Sequence, residues 1–181
     1  MNNNLVFALD VDGVLTDGKF HWDADGNKVY KEFGPDDADA LKLLDKVIPV
    51  LVFSKDKKGF QISQSRTNHM GIPIYYMDSK ERYDFLSKNY GLENIIYMGD
   101  SFVDAPLLRK CRFGIATATS SPFAKKYADY ITNTGGGERA VAEAVFYIMW
   151  KLLDIEYVTL DDGEQIKLSK SIFYEEENDL W

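Results

Sequence analysis

Residues 5–18 read LVFALDVDGVLTDG, so five apolar residues run directly into a segment that carries acids and glycines. A short apolar run without polar alternation is typical of a strand that is buried on both faces of a sheet. Asp10 and Asp12 follow it two residues apart, where the strand ends. Two carboxylates so placed can face one pocket, one as nucleophile and metal ligand, the other as proton carrier. The simpler alternative is a turn in which Asp and Gly serve only the backbone geometry.

Further apolar runs of strand length follow along the chain, each separated from the next by a segment with helical features. The runs are residues 47–53, 72–77, 95–98, 113–116 and 130–132, and helices are predicted after Asp36, over 59–70 and 80–90, from Ser121-Pro122, and over 138–153. Strands that alternate with helices predict right-handed crossovers and one core. We therefore expect an α/β domain over residues 1–153, with a doubly wound, mainly parallel, Rossmann-like sheet.

Two segments depart from this alternation. Residues 19–33 read as a β-hairpin flap that turns at 23–27, because Asp, Gly and Asn cluster between two short strand-like runs. Residues 154–181 are predicted to form a C-terminal arm or tail with an acidic end.

Polar residues with complementary chemistry follow the successive predicted strands. Ser54 ends the second strand, Lys80 comes just after the third, and Gly99-Asp100 ends the fourth, with Asp104 four residues later. The carboxyl ends of parallel strands share one crevice, where ligands bind. Each residue alone has a simpler role, Ser54 and Asp104 as helix caps and Lys80 as a solvated helix start. Together with Asp10 and Asp12 they form a coherent set for phosphoryl transfer.

In that set Asp10 is expected to attack phosphorus and form an aspartyl-phosphate, which water then hydrolyses. Asp12 is expected to protonate the leaving alcohol and later to deprotonate the water. Asp10, Asp100 and the main-chain oxygen of Asp12 are predicted ligands of Mg²⁺, a hard cation that prefers oxygen. Ser54 and Lys80 are predicted to hold the phosphate oxygens.

Composition excludes several other classes of protein. The 181 residues carry 21 Lys and Arg against 29 Asp and Glu, a net charge of −8, which argues against a nucleic-acid partner. One cysteine and two histidines exclude an internal disulfide and a zinc centre built on those residues. No run approaches the ~20 apolar residues that a membrane-spanning helix needs, so no membrane partner is expected and a cytoplasmic location is predicted.

Four motifs together resemble those of haloacid dehalogenase superfamily phosphatases. They are DVDGVLTDG at 10–18, the strand-end Ser54, the lone Lys80 and GDSFVDAP at 99–106. The similarity covers roughly residues 5–153, including ADYIT at 128–132 and GGERAV at 136–141. In particular it points to the small capless branch typified by 3-deoxy-D-manno-octulosonate 8-phosphate phosphatase and by the phosphatase-like domains attached to acylneuraminate cytidylyltransferases.

The resemblance implies an Mg²⁺-dependent phosphatase of a phosphorylated sugar acid, of the ulosonate or nonulosonate type. It assigns catalysis to Asp10 and Asp12, phosphate binding to Ser54 and Lys80, the metal to Asp10, Asp12 and Asp100, and a supporting role to Asp104. Members of the branch assemble as homotetramers, so residues 19–33 are predicted at a subunit interface and the tail near an adjacent active site. Only 41 residues separate Asp12 from Ser54 and 25 separate Ser54 from Lys80, too few for a cap domain.

The sequence departs from the branch on the substrate side. Ser54-Lys55-Asp56 replaces the usual Thr-Gly-Arg, Asp36-Asp37-Ala38 replaces Arg-Asp-Gly, and Arg139 and Ala142 alter the Gly-Gly-x-Gly pattern and a following arginine. The glycine run at 135–137 is open to two interpretations, an anion cradle before the last helix or a turn.

Two alternatives to an active phosphatase are considered. A catalytically inactive family member that serves as an oligomerisation or regulatory domain is compatible with the lost arginines, although the acids are retained. A receiver-like phosphoacceptor module would need an acceptor aspartate at the end of a central strand, where this chain has Ser54.

Overall fold

A six-stranded parallel sheet organises the part of the chain that the computed structural model describes, residues 4–160 and 162–173. The strands are β1 (Val6–Asp10), β2 (His21–Trp22), β3 (Lys28–Tyr30), β4 (Val50–Ser54), β5 (Ile74–Tyr76), β6 (Ile95–Met98), β7 (Phe113–Ala116), β8 (Tyr130–Ile131), β9 (Tyr157–Thr159) and β10 (Gln165–Lys167). The helices are α1 (Asp37–Asp45), α2 (Phe60–Met70), α3 (Ser79–Tyr90), α4 (Ala105–Lys110), α5 (Pro122–Tyr127) and α6 (Ala140–Tyr147).

The order of strands in the main sheet is β5-β4-β1-β6-β7-β8, and every neighbouring pair is parallel. The chain therefore starts in the middle, winds outward through β4 and β5, and then crosses β1 to wind outward in the other direction. Ligands in such sheets bind at the carboxyl ends of the strands, where the winding direction changes. Asp10 ends β1 at that point, and the predicted doubly wound Rossmann-like fold is confirmed.

Both faces of β1 are buried, as its unbroken apolar sequence predicts. Phe7 and Leu9 belong to a core that α1 and α6 cover, whereas Val6 and Ala8 belong to a second core that α3, α4 and α5 cover. All four side chains have at most 3 % exposure. Because successive strand residues point to opposite faces, one strand joins the two layers of helices.

Several helix ends follow from local sequence. Asp78 caps α3 in a reciprocal capping box with Glu81, Ser121 accepts a hydrogen bond from Ala124 N at the start of α5, and Gly71 ends α2 with a positive φ of 74°. The predicted helix over 138–153 begins at Ala140 and continues after α6 as a wider π-helical segment, Ile148–Leu152. Asp36 precedes α1 but does not cap it, because its carboxylate accepts a hydrogen bond from Arg139 Nε instead.

Strands β2 and β3 form the predicted hairpin flap within residues 19–33. A bridge between Thr16 and Phe33 closes its base. The described residues between Asp12 and Lys80 contain this hairpin, α1, α2, β4 and β5, and no cap domain. Four large apolar side chains of the hairpin are close to half exposed: Phe20, Trp22, Val29 and Tyr30.

The C-terminal arm packs on the domain as far as the structure describes it. Strands β9 and β10 pair as an antiparallel hairpin, and Val158, Leu168 and Phe173 are buried in the core beneath α1 and α6. The Phe173 ring stacks on Trp150 with centroids 5.4 Å apart. The acidic end of the predicted tail, residues 175–181, lies outside the described residues. Among the described helices, none combines the length and apolarity needed to span a membrane.

Candidate active site

Three carboxylates meet at the carboxyl edge of the sheet. Asp10 ends β1, Asp100 follows the neighbouring β6, and Asp104 directly precedes α4. Each of the three residues offers one carboxylate oxygen, and these three oxygens lie within 4.8 Å of one another. The structure thus brings together the two predicted carboxylate ligands and the predicted supporting acid.

The loop after β1 approaches Asp100 so closely that glycine is required at its centre. Gly13 has a φ of +85°, and a Cβ built there would lie 2.0 Å from Asp100 Oδ2. Gly136 supports this loop from behind, because a Cβ there would lie 2.1 Å from the Gly13 carbonyl oxygen. The backbone of the glycine run therefore packs closely against the loop that carries Asp12.

A buried arginine lies between two of the acids. Arg82 Nη2 is 3.3 Å from Asp10 Oδ1, and Arg82 Nη1 is 3.1 Å from Asp104 Oδ1. Its side chain is 2 % exposed, and it also donates a hydrogen bond to the Tyr97 hydroxyl. That hydroxyl donates in turn to Asp104 Oδ1 at 2.6 Å, and burial keeps the pKa of Tyr97 well above its usual value. Tyr97 is therefore a fixed neutral donor in this group.

Lys80 is placed elsewhere. Its ammonium pairs with Asp84 one turn along the exposed side of α3, at 2.7 Å, and its side chain is 85 % exposed. Asp78 starts α3, so the side chains that the helix turns toward the sheet are Arg82 and Leu86. The position beside the acids that was expected for Lys80 is therefore occupied by Arg82, two residues later.

A sequence signal for Arg82 exists in retrospect. Arg82 and Leu86 are four residues apart and share one helix face, and Asp78 marks where the helix begins. A charged residue on the apolar face of a helix needs a buried partner of opposite charge. Lys80 is nearer to the strand end in sequence, whereas the helical phase favours Arg82.

The acid group carries more negative charge than its arginine balances. Burial, together with the charges of its acidic neighbours, raises the pKa of Asp100 to about 7. Burial also raises the pKa of Asp10 to about 7, although the nearby Arg82 opposes the increase. Three carboxylates and one guanidinium sum to −2 when ionised, and the donors are hard oxygens. The residues therefore fit a divalent cation of the Mg²⁺ class.

Asp12 lies beside these acids but has different partners. The Lys31 ammonium is 2.7 Å from Asp12 Oδ1 and 2.9 Å from Asp56 Oδ2. Lys28 is 2.5 Å from the same Asp56 oxygen. Both lysine side chains are almost fully buried. Neither lysine is predictable as a site residue, because nothing in the hairpin sequence shows which lysines turn inward.

Ser54 ends β4, one residue beyond Phe53, the parallel partner of Asp10. It is fully buried, and its hydroxyl accepts a hydrogen bond from Asp56 N at 3.2 Å. Ser54 is therefore at the predicted edge of the sheet, on the strand next to Asp10.

A cleft of about 410 Å³ opens over this edge. Asp10, Asp12 and Asp100 line its floor, and the hairpin closes one side with Phe20, Trp22 and Lys28. The remaining lining residues are Gly18, just before the hairpin, and five residues from the loops after β4 and β6: Lys55, Asp56, Ser101, Phe102 and Val103.

The raised pKa values predict a pH-dependent stabilisation by Mg²⁺. Without metal, folded Asp10 and Asp100 retain protons that the unfolded chain releases, so the free energy of unfolding falls as pH rises from about 4 through 7. Mg²⁺ binds the ionised carboxylates, so its increase of Tm should be larger at about pH 8 than at about pH 5. Thermal unfolding with and without Mg²⁺ measures this difference.

Asp100→Asn should remove most of the Mg²⁺ effect at the higher pH, whereas Asp39→Asn, an exposed acid on α1, should retain it. Equal Tm increases at both pH values, or an unchanged effect in Asp100→Asn, would contradict a divalent site among these acids.

Arg82 and Lys80 provide a matched pair of substitutions. Arg82→Met leaves Asp10 and Asp104 buried without a counter-charge, which typically lowers the free energy of unfolding by about 3–5 kcal/mol. Lys80→Met removes only an exposed pair on the same helix and should leave stability almost unchanged. Urea denaturation without metal compares them, and similar midpoints for the two variants would be incompatible with this arrangement.

Comparison with known proteins agrees with the geometry. Residues 23–145 match the family model of the haloacid dehalogenase-like hydrolases. The 3-deoxy-D-manno-octulosonate 8-phosphate phosphatase of Haemophilus influenzae is 34 % identical over 148 residues, which are 77 % of this chain and 80 % of that protein. A cobalt-bound structure of the Haemophilus influenzae phosphatase covers 89 % of this chain and 96 % of its own, with a TM-score of 0.75 and 29 % identity.

A further similar structure is a complex with ligands. It is the 3-deoxy-D-manno-octulosonate 8-phosphate phosphatase of Moraxella catarrhalis in complex with magnesium ion, phosphate ion and a KDO molecule. It has a TM-score of 0.73 and 26 % identity, and covers 84 % of this chain and 90 % of that one. The match to the family model and the extent of similarity to these phosphatases confirm the expected family: the chain belongs to the haloacid dehalogenase-like hydrolases.

Proposed function

We propose that the protein is an Mg²⁺-dependent phosphomonoester hydrolase that acts through an aspartyl-phosphate on a phosphorylated sugar acid. The observation that carries this proposal is the group of Asp10, Asp100 and Asp104 at the carboxyl ends of the central strands, where the winding direction changes. Together with Arg82 the three acids sum to −2 when ionised. Asp10, Asp100 and the main-chain oxygen of Asp12 would hold the ion, with Asp104 in support. When bound, Mg²⁺ supplies positive charge that brings the phosphate and the Asp10 carboxylate together.

The chain's own residues account for both half-reactions. Asp10 attacks phosphorus, the bond from phosphorus to the leaving oxygen breaks, and Asp12 gives its proton to that oxygen. In the second half, Asp12 takes a proton from the attacking water, and phosphate leaves Asp10. Ser54 holds a phosphate oxygen from the neighbouring strand end.

The proposed substrate class rests on the relatives and on the walls of the cleft. Phe20, Trp22 and Phe102 offer apolar faces to a sugar ring, and Lys55 offers a cation to its carboxylate. We take 3-deoxy-D-manno-octulosonate 8-phosphate as the first candidate, since the relatives are named for it, and an acylneuraminate 9-phosphate as the second. The predicted cytoplasmic location stays a prediction.

Phosphate release from a panel of sugar phosphates in the presence of Mg²⁺ tests this proposal. Wild type should hydrolyse the ulosonate or nonulosonate phosphates faster than neutral hexose phosphates. Asp10→Asn should lose activity with every ester, because no nucleophile remains, and Asp12→Asn should lose about 10²-fold or more where the leaving group needs a proton.

Three outcomes separate the alternatives. Efficient turnover of neutral sugar phosphates alone would exclude the sugar-acid substrate but keep the phosphatase. Absence of turnover with every ester, in a protein that Mg²⁺ stabilises, would favour the inactive, regulatory family member. A stable phospho-Asp10 that forms without turnover would favour a phosphoacceptor role.

We further propose a homotetramer with residues 19–33 at a subunit interface. Support comes from the exposed apolar side chains of the flap that do not line the cleft, Val29 and Tyr30, which would otherwise face water. Val29→Glu should shift the protein to smaller species in light scattering. Phe123→Glu, on exposed α5, is the matched control and should not. A monomer at every concentration rejects the assembly.

A further inference from the structure

The Lys31 ammonium is enclosed by three separate elements of the fold. It lies 2.7 Å from Asp12 on the loop after β1, 2.9 Å from Asp56 on the loop after β4, and it donates a hydrogen bond to Ser63 Oγ on α2 at 2.9 Å. Its side chain has no exposure to solvent. Lys31 therefore adopts one fixed position, at the base of the flap and directly behind Asp12.

Asp56 is the anchor of this arrangement. Its Oδ2 atom forms ion pairs with the ammonium groups of both Lys28 and Lys31. Although partial burial opposes it, this pairing with two cations holds the pKa of Asp56 below its usual value. With Asp12 included, two carboxylates and two ammonium groups sum to zero. Asp56 is thus committed to the lysines and does not act as a free acid at the wall of the cleft.

The contact with Lys31 also divides the Asp12 carboxylate into two parts. Oδ1 is buried against the ammonium in a close ion pair that lacks the alignment of a hydrogen bond. The Asp12 side chain is 18 % exposed, and because Oδ1 is buried, this exposure comes from its other atoms, on the side of the cleft. One carboxylate oxygen is therefore fixed in the protein while the rest of the group remains accessible.

We propose that Lys31 is a positioning residue that orients Asp12 for proton transfer, and that Asp56 holds Lys31 in place for this purpose. The inference rests on the proposed phosphatase chemistry but not on the identity of the sugar. As the bond between phosphorus and the leaving oxygen breaks, the proton of Asp12 moves to that oxygen, so the direction of the carboxylate sets the efficiency of the step. The Lys31 side chain has no surface exposed to the cleft, so its effect on the reaction passes through Asp12.

A merely structural role for Lys31, as an anchor of the flap, predicts a different result. Loss of an anchor lowers activity with all esters alike, whereas loss of the orientation of Asp12 affects most the esters whose leaving groups need a proton. Phenyl phosphate has the more basic leaving group, which needs a proton as it departs. The 4-nitrophenolate released from 4-nitrophenyl phosphate is a stable anion and departs without a proton. The ratio of kcat/KM values for these two esters therefore reports on the proton transfer, because kcat/KM ends at formation of the aspartyl-phosphate that both esters share. This ratio is independent of the fraction of protein that is folded.

Lys31→Met should lower kcat/KM for phenyl phosphate about tenfold or more beyond its loss for 4-nitrophenyl phosphate, a part of the 10²–10⁴-fold that such proton transfer contributes. Asp56→Asn releases Lys31 from its anchor and should change the ratio in the same direction by a smaller factor. The double variant should resemble Lys31→Met, because both substitutions act on one contact.

Lys58→Met is the matched control, because Lys58 also ties the flap, by donating to the Gly26 carbonyl oxygen, but does not contact Asp12. Its ratio of kcat/KM values should equal that of wild type. An unchanged ratio in both Lys31→Met and Asp56→Asn, or an equal change in Lys58→Met, overturns the proposal. Both esters are used with Mg²⁺, so a wild type that hydrolyses them but no sugar acid would defeat the proposed substrate and leave this test intact.

Discussion

Uncompensated negative charge, buried at the end of the central strand, is the constraint on which the other features of the site depend. Asp10, Asp100 and Asp104 are held within a few ångströms of one another, and a single guanidinium, Arg82, lies among them. Burial and mutual repulsion raise the pKa of Asp10 and of Asp100 to about 7. A fold that keeps carboxylates in this state lowers its own stability without metal and gains affinity for a divalent cation.

The topology explains how such a group is held together. Asp10 and Asp100 follow neighbouring strands, β1 and β6, whose backbones are fixed by parallel pairing and by cores on both faces. Gly13 and Gly136 allow the intervening loops to approach without side chains between them. The hydrophobic burial of the strands thus fixes the position of the acids. The packed strands do not move apart to relieve the repulsion between the carboxylates.

The features that could be predicted from the sequence are those that depend on local pattern. Unbroken apolar runs identified the strands, and the polar residues at their ends identified Asp10, Asp12, Ser54, Asp100 and Asp104 as neighbours. Lys80 was a different case, because its side-chain direction depends on where α3 begins and not on the nearest strand end. The inward direction of Lys31 was beyond prediction, since it depends on how the flap folds onto β4 and α2, a contact between residues distant in the chain.

The cleft separates the reaction from substrate recognition. On the side of the strands, the acids and Arg82 form a group whose net negative charge suits a divalent cation. On the side of the flap, the charges of Lys28 and Lys31 are balanced by Asp56 and Asp12. An arginine at position 56 would place a third cation beside the two lysines, so the acid at this position is the counter-ion that stabilises their inward placement. Substitution on this wall therefore changes two functions together, the surface that meets the leaving group and the support of Asp12.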